Sequence, residues 1–348
     1  MSNTSPIEPG FDPQPIALTR FTRMFNAQLR SEQKSPRTIQ AYEYTFTRFA
    51  RWFETIEGRE PLFGDFTVGR VRMFLSDTMD VPKWAGHRYI PQGQPDQKIS
   101  SATLHQYARN LKTFGLWFER EGYVDRNPLY ALRMPRLTRR ELVPLTEDEQ
   151  RVLLKTYSDT IPTECRLRAI FLLLLDTGLR LAELTGLQDR NVDLDAGYVR
   201  VLGKGRKERS VPFGHLTEKV LRKYAEFFRP DPASPLVTTF FLSPDGYPMT
   251  PKAVTMLFQR ARSRTGIARL HPHLLRHTYA IRAQEQDMPT ITLQHYMGHS
   301  SPEMTERYVH AAQSERLKRA RGHSPIDQFA ARDRELIQGT TPPRKRRR

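Results

Sequence analysis

Residues Ala169–Leu175, Ala-Ile-Phe-Leu-Leu-Leu-Leu, form the longest uninterrupted apolar run in a chain of 348 residues. The run is far short of the roughly 20 residues that cross a bilayer, and Arg168 and Asp176 place charge at both its ends. It is therefore expected to be buried on all sides inside a globular core. Asp176-Thr177-Gly178 closes it, with Gly178 permitting a sharp change of direction before Leu179–Leu184. The length predicts two domains, and 38% hydrophobic residues suit folded cores rather than disorder. The N-terminal residues lack a basic start followed by an apolar stretch, so no export and no membrane partner are expected. The single cysteine, Cys165, rules out an intrachain disulfide or a Cys-x-x-Cys metal site, fits a reducing compartment, and reads as a small core residue.

The first half is helical. After a leader over 1–14, Ser35 is an N-cap with Pro36 at the first helical position, and Ile39, Tyr42, Phe46, Phe49 and Phe53 recur at intervals of three and four. A second stripe, Leu104, Tyr107, Leu111, Phe114 and Phe118, runs through Ser101–Glu121, with Gly122 as its C-cap. Residues 81–98, rich in Pro, Gly and Gln, read as a loop. The segment 126–142 holds two prolines and five arginines without periodicity and is expected to link the domains.

The second half opens at Thr146, spaced from Glu149 as in a capping box. Tyr198–Leu202 and 206–213, joined by Gly203-Lys204-Gly205, predict a β-hairpin. Helical patterns return at 252–264, 273–286, 290–297 and 302–310, and Gln313–Arg348 reads as a basic tail with eleven Lys/Arg and four Asp/Glu. The expected class is mainly α with a small antiparallel β-sheet. The boundaries are a leader (1–14), a helical domain (15–125), a basic linker (126–142), a second domain (143–312) and the tail (313–348).

The chain carries 55 Lys+Arg against 38 Asp+Glu, a formal net charge of +17. Such an excess suits a polyanion, because each cation placed on a phosphate releases condensed counterions. Four segments combine phosphate-binding with proton-moving residue types. Arg180 follows Gly178 at the start of an apolar helix, where a guanidinium and a helix N-terminus both favour an anion, with Glu183 one turn on; taken by itself, the segment reads first as an ordinary Arg–Glu surface pair. Lys204 sits at a hairpin tip, either a proton donor or a solvated turn lysine, with Lys207 competing. His273 and Arg276 share one face near a helix start, a pairing suited to moving a proton beside a held phosphate. Tyr308 lies two turns into the helix after Gly298-His299-Ser300-Ser301-Pro302. His295 and His299 have the i,i+4 spacing of metal ligands but no acidic or cysteine partner nearby, and no acidic cluster suits Mg²⁺. The inventory fits a metal-free, covalent attack of a tyrosine on a phosphodiester, with no cofactor.

In their order these segments resemble the tyrosine recombinases, the phage integrase and Xer-like site-specific recombinases, over about residues 16–312. Ser35-Pro36-Arg37-Thr38-Ile39-Gln40-Ala41-Tyr42 and Asn127-Pro128 resemble their core-binding domain. Thr177-Gly178-Leu179-Arg180-Leu181-Ala182-Glu183-Leu184, Gly203-Lys204-Gly205, His273-Leu274-Leu275-Arg276-His277 and Met297-Gly298-His299 resemble their catalytic boxes, with Met297 where leucine is usual. The resemblance implies a SAM-like helical core-binding domain and a catalytic domain forming a C-shaped DNA clamp. It implies Tyr308 as nucleophile, Arg180, His273, Arg276 and His299 in the catalytic set, Glu183 in support, and Lys204 as the acid that protonates a leaving 5′-hydroxyl.

Its further implications are a 3′-phosphotyrosyl intermediate, a Holliday junction, and a homotetramer on double-stranded DNA with paired recombination sites, assembled from a free monomer or weak oligomer. A C-terminal helix docked on a neighbouring protomer is implied as well, and an accessory directionality protein is left open. The expected setting is the prokaryotic cytoplasm, at the nucleoid. The basic residues expected to contact DNA are Arg37, Arg48, Arg133, Arg136, Arg139, Arg140, Arg206 and Lys207. The long 81–98 loop and the tail favour integration or excision of a mobile element over chromosome or plasmid dimer resolution. A type IB topoisomerase and a non-catalytic DNA-binding regulator are the readings of other classes.

Overall fold

The structure is a computed structural model that describes residues 12–82, 98–138, 141–203, 208–299 and 301–320. The chain divides into two compact units, Met1–Arg140 and Glu141–Arg348.

The first unit is built on α1 (Leu18–Ser31), α2 (Pro36–Glu57), α3 (Val68–Asp80) and α4 (Ser101–Arg120). Ser35 accepts the Thr38 N–H at 3.1 Å with Pro36 at the first position, so α2 starts where its sequence predicts. Ser100 caps α4 in the same way, and Gly122 follows its end at φ +79°. The apolar stripes meet in an aromatic core, where the ring of Phe118 lies 4.4 Å from Phe114, 4.6 Å from Phe63 and 5.5 Å from Phe66. Pro82 and Lys98 pair as an antiparallel bridge, which pins the two ends of the loop expected at 81–98; residues 83–97 lie outside the described residues.

The expected linker begins later than its composition predicts. Leu129 and Leu132 are buried in the first core, and the Asn127 side chain donates to Lys112 O at 3.1 Å and accepts the Leu129 N–H at 2.8 Å. Pro135 O meets His105 Nδ1 at 2.9 Å, and the Thr138 N–H donates to Ser101 Oγ at 3.3 Å. The apolar residues between the arginines hold the chain against α4, so residues 126–138 belong to the first unit.

The second unit contains α5 (Glu147–Lys155), α6 (Pro162–Thr177), α7 (Leu181–Thr185), β1 (Val192–Asp193), β2 (Tyr198–Leu202), β3 (Glu208–Pro212), α8 (His215–Lys223), α9 (Pro251–Thr265), α10 (Pro272–Glu285), α11 (Thr290–Met297) and α12 (Glu303–Ala320). Thr146 and Glu149 form the capping box of α5. Helix α6 is the centre of the core, with Cys165, Ala169, Ile170, Phe171, Leu173 and Leu174 fully buried. The sheet is antiparallel in the order β1-β2-β3, with Val199 opposite Val211 and Val201 opposite Arg209. The molecule is therefore mainly α with a small antiparallel sheet.

Two boundaries move. The hairpin gains a short third strand, β1, too brief to show as alternation. Helix α12 continues past residue 310 to Ala320, through the buried Ala311 and Ala312, because no Gly or Pro stops it. The first part of the expected tail is thus helix, and the Arg316 guanidinium donates to Gln284 O, Glu285 O and Asp287 Oδ1 of its own unit. Residues 321–348 lie outside the described residues.

Candidate active site

Two helix C-termini organise the site. Helix α6 ends in Gly178 at φ +61° and α11 ends in Gly298 at φ +62°, both left-handed turns that glycine adopts without a Cβ penalty. The last carbonyls of α11 then receive three arginines in succession. Tyr296 O accepts from Arg209 Nε at 2.8 Å, Met297 O from Arg276 Nη2 at 2.6 Å, and Gly298 O from Arg180 Nη2 at 2.6 Å. Arg276 also donates to Gly178 O. Carbonyls at a helix C-terminus carry the negative end of the helix dipole, so they suit cations.

Glu183, in the first turn of α7, ties two of the arginines together. Its carboxylate accepts the Arg180 backbone N–H at 2.8 Å, Arg180 Nη1 at 2.9 Å, and both terminal nitrogens of Arg209 at 2.9 Å. The Arg209 contact is a two-pronged fork, with both side chains nearly fully buried. Burial pushes the Glu183 carboxyl up, but the bonds from Arg209 and Arg180 outweigh it and hold the group below the usual carboxylate range. Burial, reinforced by the Arg180 charge, draws Arg276 down to about 10, which still leaves it charged at neutral pH. Three guanidiniums against one carboxylate leave a surplus of two positive charges in a largely buried cluster.

Tyr308 on α12 stands beside this cluster. Its side chain is 5% exposed, and burial raises its pKa against the pull of Arg276, Arg307 and Arg180. The phenol oxygen lies 2.8 Å from His277 Nδ1, and its ring stacks on His299 at 5.8 Å and 10°. His299 Nδ1 is in turn 2.8 Å from Thr305 Oγ1. Burial drives His277 down to about 4, helped by the neighbouring His273; burial and then Arg276 do the same to His299. Both rings are neutral near pH 7. His273 is exposed in the first turn of α10, with its ring 6.2 Å from that of His277.

A family profile described as the Phage integrase family matches residues 144–315. The tyrosine recombinase XerC of Corynebacterium glutamicum is 33% identical over 82% of this chain and 85% of its own length. The chain belongs to the tyrosine recombinases of the phage integrase family. It is therefore an enzyme that cuts and rejoins DNA. XerC of Lactobacillus delbrueckii subsp. bulgaricus is 28% identical over 86% of this chain and 97% of that protein. Among solved structures, a lambda integrase dimer bound to a COC′ core site has a TM-score of 0.64 at 20% identity, covering 85% of this chain and 78% of that one. The Tn1549 transposon integrase with a circular intermediate DNA has 0.63 at 19%, covering 86% and 99%. At these identities the two structures speak to the fold.

Of the residues that the sequence marks for chemistry in this tyrosine recombinase, Arg180, Glu183, Arg276, His299 and Tyr308 come together. Lys204, Arg206 and Lys207, between β2 and β3 in sequence, and Arg139 and Arg140 lie outside the described residues. Arg37, Arg133 and Arg136 are exposed on the first unit, and Arg48 is half-buried with its guanidinium 5.9 Å from the Tyr44 ring. The sequence reading missed two residues. Arg209 lies on the same strand face as the buried Val211, so the alternation of β3 already turned it inward. His277 lies one turn beyond His273, and only the packing of α12 on α10 shows that its ring meets the tyrosine.

Proposed function

We propose that this chain is a site-specific recombinase in which Tyr308 attacks a DNA phosphate. The observation that carries the reading is the row of three arginines on the last carbonyls of α11, two charges in surplus, beside a buried tyrosine. A phosphodiester brings one negative charge, and more develops on its non-bridging oxygens as the fifth bond to phosphorus forms. Fixed guanidiniums stabilise that charge without reorganising. The Tyr308 oxygen bonds to phosphorus, the P–O5′ bond breaks, and the strand is left as a 3′-phosphotyrosine with a free 5′-hydroxyl. Lys204 is the acid for the leaving oxygen. The 5′-hydroxyl of a partner duplex then attacks the phosphotyrosine, and two such rounds pass through a Holliday junction in a tetramer. A lambda integrase tetramer bound to a Holliday junction, similar in fold at a TM-score of 0.62, supports this assembly. Arg37, Arg48, Arg133, Arg136, Arg139, Arg140, Arg206 and Lys207 would hold the duplex backbone, in the cytoplasm where the DNA is.

The test is a nicked duplex that loses its 5′-hydroxyl fragment after cleavage and so traps the covalent complex. Wild-type protein is expected to accumulate it and Tyr308→Phe to form none; an adduct with the phenylalanine variant sinks the reading. The role we favour is integration or excision of a mobile element, on the long 81–98 segment and the basic tail. Dimer resolution is the second reading, supported by the near full-length match to proteins named XerC. Terminal repeats and cargo genes flanking the coding sequence are expected under the first and not under the second.

A further inference from the structure

The nucleophile must lose a proton, and the structure offers a specific acceptor for it. We propose that His277 is the general base of the cleavage step, its Nδ1 taking the Tyr308 hydroxyl proton as the tyrosyl oxygen bonds to phosphorus. This rests on Tyr308 being the nucleophile. The contact is direct, 2.8 Å between Nδ1 and the phenol oxygen, within the reach that proton transfer requires. The pair is also held in place. The phenol ring is clamped from its face by His299, itself bonded to Thr305, while α10 carries both His277 and the buried Arg276.

The balance of the step is explicit. One P–O bond forms at Tyr308 and one breaks at O5′; the phenol proton passes to Nδ1, giving imidazolium, and the leaving oxygen takes its proton from the separate acid proposed above. In rejoining, the imidazolium returns the proton to the departing tyrosyl oxygen. Before DNA arrives the proton belongs on Tyr308, because burial raises the phenol and lowers the imidazole to about 4. The charged and titratable groups that face His277 are His271, His273 and Arg276 of α10, and Arg307 and Tyr308 of α12, with His299 completing the pocket. All the cations among them disfavour imidazolium. A phosphate seated on Arg276 and Arg180 offsets their field, so the substrate itself raises the basicity of the ring, while bonding to phosphorus makes the phenol more acidic. Proton transfer is thereby confined to the complex that reacts.

Asparagine separates the two things that His277 does, since its amide oxygen can accept the phenol O–H from near the Nδ1 position but cannot carry the proton away. His277→Asn is expected to slow formation of the trapped adduct by at least 100-fold, a general-base effect, with DNA affinity within twofold of wild type. A substrate with sulfur in place of the bridging 5′ oxygen needs no leaving-group acid, so it is expected to restore a Lys204→Ala variant and leave His277→Asn slow. Near wild-type rates for His277→Asn, or its rescue by the sulfur substrate, overturn the proposal. If the variants fail to fold, the wild-type protein decides: on the sulfur substrate, which needs no leaving-group acid, transfer of the phenol proton to the ring is expected to slow adduct formation about twofold or more in deuterium oxide, and equal rates in the two solvents overturn the proposal. An adduct with Tyr308→Phe removes instead the nucleophile reading beneath it.

Discussion

Glu183 accepts from two guanidiniums, and the division of its single charge between them sets how much positive charge Arg180 retains. With Arg209 in place the carboxylate is shared. Replacing Arg209 by Lys removes the fork but keeps the charge, because an ammonium cannot match both carboxylate oxygens in that geometry. Arg209→Lys is expected to lower the rate of adduct formation about 10- to 100-fold with DNA binding little changed, and Arg209→Ala to cost about 3 kcal/mol of stability as well. A rate within twofold of wild type in Arg209→Lys would show that Arg180 is positioned without it. Gly298 is the complementary case. A Cβ there meets Arg209 Cζ at 2.9 Å and Arg180 Nη1 at 3.1 Å, on a left-handed backbone. Gly298→Ala is expected to displace both arginines and abolish trapping while the far-ultraviolet circular dichroism stays that of the wild type.

At the scale of elements, α10 and α12 pack through an apolar cluster that includes Ile281, Tyr308 and Ala311, and the neutral His277 and His299 set against Tyr308 give the fold a pH dependence. His277 and His299 have folded pKa values of about 4, below the ordinary 6.5 they regain on unfolding. Between those values the unfolded chain binds more protons, so stability is intact above pH 6.5 and is lost as the pH falls towards 4. Each histidine accounts for roughly 2–3 kcal/mol over that window. Denaturant titrations at pH 7.5 and 5 are expected to differ accordingly, with His299→Asn reducing the difference; equal midpoints would contradict the buried, neutral state.

In the first unit, α4 brings Phe118 into a ring cluster, and Phe118→Ala is expected to cost about 3–5 kcal/mol. Trp117 lies in that core and Trp52 packs against it, and residues 141–348 contain no tryptophan, so fluorescence reads that loss without interference from the second unit. Much of this was legible beforehand. Capping residues and apolar stripes gave α2, α4 and α5 their starts, and the motif order brought out Arg180, Arg276 and Tyr308. The burial of Leu129 and Leu132 was hidden by the arginines around them, and the His277 contact arises only when helices far apart in sequence pack.

For the whole molecule the governing quantity is the charge of +17, of which +7 falls in residues 313–348. These cations are not equivalent. The arginines at the end of α11 are fixed by buried hydrogen bonds and, in the proposed mechanism, serve one phosphate, whereas residues 321–348 add eight Lys/Arg and three Asp/Glu to the sequence. Each phosphate neutralised by a lysine or arginine adds about −0.9 to the slope of log affinity against log salt. A chain ending at Ala320 is therefore expected to bind duplex DNA of any sequence more weakly, with a slope shallower by several units. Its rate of adduct formation on saturating nicked substrate should match the full chain, since the chemistry depends on charges that stay in place. Titrations at several salt concentrations, paired with single-turnover trapping, separate the two effects. An unchanged slope would mean that the tail does not touch the DNA backbone, and a reduced trapping rate would mean that it supports the catalytic unit directly.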